Sequence, residues 1–68
     1  MLTLSFSGGT LIVEGPATVT IIDGQCEMLG CPVSGSLSIG EFKALPILAR
    51  GPCTLTVDGG SIRYVNGS

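Results

Sequence analysis

Gly15-Pro16-Ala17-Thr18-Val19-Thr20-Ile21 and Gly51-Pro52-Cys53-Thr54-Leu55-Thr56-Val57 match in residue type at every position. Both then reach an Asp and a Gly, as Asp23-Gly24 and Asp58-Gly59. Within each run the apolar residues fall on one face and the threonines on the other, the period-two pattern of a half-buried strand. Gly-Pro sets a turn and denies the strand start a backbone donor. The β-branched run propagates the strand, and Asp-Gly supplies the left-handed conformation that a hairpin turn needs. Thr10-Leu11-Ile12-Val13-Glu14-Gly15 is a looser third copy. Two copies of a strand-and-turn recipe do not make a repeat protein, and they read as equivalent strands of two packed sheets.

The same period extends outward. Leu2, Leu4 and Phe6 alternate with Thr3 and Ser5, and Leu11 and Val13 follow a Gly8-Gly9 turn. Shorter apolar stretches lie at 26–29, 37–39 and 45–49, and Ile62-Arg63-Tyr64-Val65 closes the chain. Eleven glycines and four prolines punctuate these runs. No segment carries a helical stripe of useful length. The expectation is an all-β fold: a small sandwich or barrel of seven to nine short strands, forming one domain over residues 1–68. Pro46 removes a ladder donor from the 45–49 run, which places that strand at an edge or a bulge. Such an edge is either a guard against aggregation or a docking edge.

Composition bounds the chemistry. A chain of 68 residues buries only about 60% of the surface it exposes when unfolded. Hydrophobic residues make up 44% of it, with no Trp and few aromatics, so the core is built from Val, Ile and Leu. Net charge is −2, and Lys43, Arg50 and Arg63 are the only cations, too few for the patch that autonomous nucleic-acid binding requires. No apolar run reaches the length of a membrane span. The first residues lack the basic and long apolar regions of a signal peptide, and the chain reads as soluble and intracellular.

The three cysteines, Cys26, Cys31 and Cys53, lack metal-site spacing, and there is no His to complete a zinc shell. Three readings stand: small buried apolar side chains, a disulfide of the kind found in intracellular proteins of hyperthermophiles, or a reactive thiol. Cys26 and Cys31 flank a turn, which would set them close across a hairpin. No His is available as a catalytic base, and Glu14, Asp23, Glu27, Glu41 and Asp58 fall mostly at expected turns. Gly8-Gly9-Thr10 lacks the spacing of a phosphate-binding loop and precedes a strand. The chain as it stands is expected to be no enzyme and to need no metal or cofactor.

From Thr18 onward the order of features resembles the N-terminal β-domain of polynucleotide kinases that phosphorylate RNA 5′-hydroxyls. That family includes the kinase-like subunit of the pre-mRNA cleavage factor and its archaeal relatives. The matching stretches are Thr18–Gly24, Cys26-Glu27-Met28-Leu29-Gly30, Lys43-Ala44-Leu45-Pro46-Ile47, Gly51–Val57 and Ile62–Val65. They span about fifty residues, and the hairpin motif and the Lys are the most specific parts. The resemblance implies a compact β-sandwich packed against a P-loop kinase domain, where it helps enclose the ATP base. It makes Lys43 one of the nucleotide-binding residues. The family's companion Glu falls at Thr10 here, so half of that contact is lost. The P-loop is absent, and the chain is either a fragment or a free-standing relative.

Set against this, a Lys beside Glu41 at a strand entrance is commonly a solvated gatekeeper. The rival function is a free-standing β interaction module without a nucleotide role, forming homo-oligomers through an apolar face or the Pro46 edge. A small-ligand barrel is disfavoured, because so short a chain needs its interior for a core. The expected partners are therefore a kinase domain or protein subunit, or further copies of the chain.

Overall fold

The computed structural model describes residues 1–28 and 35–66. Where the sequence alternates, the chain is extended, and the described residues form four strands: β1 (Leu2–Ser7), β2 (Thr10–Met28), β3 (Ser36–Ile39) and β4 (Ala44–Val65). They make one antiparallel sheet in the order β1-β4-β2-β3. The fold is all-β.

The sheet is a curled half-barrel built around a long β2–β4 ribbon. Thr10 to Glu14 are paired with β4 on both sides, against residues 44–48 and again against residues 61–65. At the far end Cys26, Glu27 and Met28 pair with Ala49, Leu48 and Ile47. The ribbon therefore bends until the start of β4 meets the start of β2. Gly-Pro and Asp-Gly, expected to end strands, bend them instead. β2 runs through Gly15-Pro16, which carries a cis peptide bond, and through Asp23-Gly24; β4 runs through Gly51-Pro52 and Asp58-Gly59. Register shifts fall between Glu14 and Ala17, Ile21 and Asp23, and Gly24 and Cys26. At these bulges the ladder absorbs extra residues, bends and continues. Gly24 shows why glycine is required: its φ is +107°, and a Cβ there would run into the Pro52 carbonyl.

The two matching runs turn out to be partners in this sheet rather than strands of separate packed sheets. Val19 lies opposite Val57, and Ile21 opposite Leu55. Each is a cross-strand pair on the face turned into the curl. The core collects Leu11, Val13, Ala17 and Val19 from β2 with Leu45, Ile47, Ala49, Cys53, Leu55 and Val57 from β4, all odd-numbered. Met28 joins from an even position because the bulges between Ile21 and Cys26 change the phase. No buried polar side chain interrupts it among the described residues. β1 lies along β4, and the Phe6 ring meets Tyr64 edge-on at 6.0 Å, while the Tyr64 hydroxyl donates to the Gly8 carbonyl at 2.9 Å.

The strand that carries Pro46 is not an edge strand. The Cα partner of Pro46 is Ile12, and the second ladder beside it begins one residue on, at Ile47 with Met28. The curl brings β2 to both sides of this strand, something a local reading of one proline does not reveal. The outer described strands are β1 and β3.

Of the three cysteine readings, the disulfide holds for Cys26 and Cys53, whose Cα atoms lie 5.4 Å apart. It ties β2 to β4 beside the bulge, where the ladder resumes at Cys26 opposite Ala49. Cys31 lies outside the described residues, so its expected approach to Cys26 does too.

Candidate functional site

Between β3 and β4 the chain turns sharply at Gly40-Glu41-Phe42-Lys43. The turn is fixed from below: the Gly15 amide donates to the Lys43 carbonyl at 2.9 Å. Gly15 can lie there because it has no side chain, since a Cβ would sit 2.7 Å from the Ile39 carbonyl oxygen. Phe42 holds a φ of +60°, the left-handed region that side-chain-bearing residues avoid, and its surface is 99% exposed. An aromatic ring is thus carried out into solvent on a strained, anchored turn. Backbone strain of this kind persists where surrounding structure enforces it, and it concentrates at functional sites.

The turn borders an open concavity of about 420 Å³ lined by Glu14, Pro16, Glu41, Phe42, Lys43 and Ser61, among others. Lys43 and both carboxylates are exposed. Glu14 reaches the site because it is paired with Ala44 on one side and Ser61 on the other. Thr10, the position matched to the family's companion Glu, begins the same strand, about 13 Å away along it. Two carboxylates, Glu14 and Glu41, line the concavity with Lys43, and Glu14 is one that sequence reasoning places at a solvated turn. Phe42 was also missed as a surface feature. Its signal was its position between Glu41 and Lys43 after a glycine, outside the alternating pattern.

A second concavity, about 380 Å³ and mainly apolar, is lined by Met1, Leu2, Val57, Gly59, Gly60 and Ile62. Asp58 is at its border, 4.0 Å from the N-terminal amine, with its side chain 73% exposed. The two concavities adjoin along β4 and share no lining residue. Ser61 lines the first, and its neighbours Gly60 and Ile62 line the second.

The cations do not gather. Lys43 stands at the turn, Arg50 donates from Nε to Glu27 Oε2 at 2.5 Å, and Arg63 is opposite Ile12. Among the described residues no cluster of three metal-binding side chains occurs, and no helix is long and apolar enough to cross a membrane. What the surface offers is a lysine and two carboxylates beside a projecting aromatic, and a separate apolar hollow. These groups can bind and orient. Compared with family models, curated proteins and solved structures, the chain matches none of them.

Proposed function

We propose that this chain serves as a non-catalytic accessory domain of an RNA 5′-hydroxyl kinase, packed against a P-loop kinase domain with Lys43 turned toward the nucleotide. One observation carries the reading: Lys43 stands exposed on a concavity that also holds Glu14, the lysine–carboxylate pairing the resemblance calls for. The sequence match at Thr10 lacks that carboxylate; Glu14, four residues on, lines the same concavity as Lys43, and this supports the reading. The architecture fits as well. If each bend is counted as a break, the four strands divide into eight short segments around one core. ATP and RNA place such a domain inside the cell, and the Cys26–Cys53 disulfide then suits an intracellular protein of a hyperthermophile.

In this role the domain transfers no phosphate. Phosphoryl transfer rests on a phosphate-cradling loop and metal-holding acids, which belong to the kinase domain. Lys43 would hold the base equally in the ground and transition states, so it changes binding and leaves turnover alone. The test supplies this domain, fused or in trans, to an RNA 5′-hydroxyl kinase domain stripped of its own β-domain. The expected result is association and a lower Michaelis constant for ATP. Lys43→Ala then raises that constant about fivefold, the worth of one exposed ionic or cation–π contact of about 1 kcal/mol, at unchanged turnover. No association, or an unmoved Michaelis constant, returns Lys43 to the role of a solvated strand guard.

A further inference from the structure

We propose that copies of this chain associate head to tail, the Phe42 turn of one inserting into the apolar concavity bounded by Met1, Leu2, Val57 and Ile62 on the next. This inference is independent of the kinase reading. The knob is Phe42, an aromatic ring 99% exposed on a turn that Gly15 anchors through Lys43. Aromatic side chains are enriched at interfaces because they bring a large apolar area to the contact. The socket has the matching chemistry. Met1 and Leu2, 90% and 51% exposed, supply most of its apolar surface together with the half-buried Ile62, and Val57, Gly59 and Gly60 complete the lining. Its volume of about 380 Å³ is ample for a benzyl group.

Charge selects the second copy as occupant. Lys43 follows Phe42 directly, and Asp58 lies between the socket residues Val57 and Gly59. A Phe42 ring entering the socket brings the Lys43 ammonium to the Asp58 carboxylate of the neighbouring copy. That carboxylate is held only loosely, by the N-terminal amine at 4.0 Å, and is open to solvent. Knob and socket are different surfaces, with no lining residue in common. The contact is therefore heterologous, and assembly runs head to tail rather than closing at a two-fold dimer. The contact is small and the association correspondingly weak, in the micromolar range or above. It also covers Lys43, so self-association and any other occupant of that surface exclude one another.

Two variants separate this from unspecific stickiness. Phe42→Gly removes the knob at a position whose φ of +60° suits glycine, so the fold keeps its stability. Leu2→Asp spoils the socket at an exposed site. By sedimentation from micromolar to millimolar concentration, the wild type is expected to rise above the 6.9 kDa monomer, with no limit at two copies. Each variant alone associates at least about thirtyfold more weakly, the loss of a hot-spot contact. Mixing the two restores association but stops at a heterodimer, one intact knob in one intact socket. Lys43→Glu weakens assembly, and mixing it with Asp58→Lys recovers it. A wild type that stays monomeric, a Phe42→Gly protein that assembles as before through the β1 edge, or a mixture that remains monomeric would each overturn the proposal.

Discussion

Breaking the Cys26–Cys53 disulfide is expected to remove a large part of this protein's stability. The bridge spans a sequence separation of 27, and the loop it closes holds all of β3, the Phe42–Lys43 turn and the first part of β4. In the chain-entropy picture, a cross-link over a loop of that length stabilises by about 3.5 kcal/mol, by restricting the unfolded chain. A domain of this size has roughly 3–10 kcal/mol in total. With an unfolding entropy of about 2 cal/mol/K per residue, the loss corresponds to a fall in Tm of about 20–25 °C. Cys26→Ala is the cleaner variant, because Cys26 is only partly buried. It leaves Cys53, 1% exposed, as a small apolar side chain in the core. Melting curves by circular dichroism, run on oxidised protein, reduced protein and Cys26→Ala, should show the last two falling together. Peptide mapping without reduction should link the Cys26 and Cys53 peptides. A Tm that ignores reductant, or a map that joins Cys26 to Cys31, would refute the reasoning.

Other substitutions probe the core and the bends. Leu55→Ala empties a fully buried position between Leu4 of β1 and Ile21 of β2 and should cost about 2–5 kcal/mol in denaturant unfolding. Equal stability would mean the curl does not close over that residue. Gly24→Ala and Gly8→Ala form a matched pair, since both glycines have positive φ but only Gly24 has backbone in the way of a Cβ. Gly8→Ala should cost about 1–2 kcal/mol and Gly24→Ala clearly more. Equal costs would argue against the close passage of β2 and β4 at the bulge.

The alternation of Leu11-Val13, Ala17-Val19-Ile21 and Cys53-Leu55-Val57 needed no tertiary information, because a strand's side chains alternate whatever it pairs with. So the all-β class, the inward face of each run and the Val-Ile-Leu core were legible from the residues alone. The lack of a clustered basic patch was legible too, as a matter of counting cations. Which strands pair is a different kind of fact. Val19 finds Val57 and Glu14 finds both Ala44 and Ser61 across separations that no local pattern encodes. Gly-Pro and Asp-Gly specify a bend, and whether the ladder stops or continues through it depends on a partner that is distant in sequence. Pro46 misled for the same reason: a missing donor suggests an edge, but only the curl shows that β2 flanks its strand. Cys26 was separated from Cys53 by the whole β3 region and met it only because a bulge in β2 changed the phase there. Phe42 stood outside the alternating pattern, a local hint that did not say where its ring would go. Its place in solvent follows from a turn that the Gly15 amide ties to Lys43, a contact that exists only once the ribbon has closed.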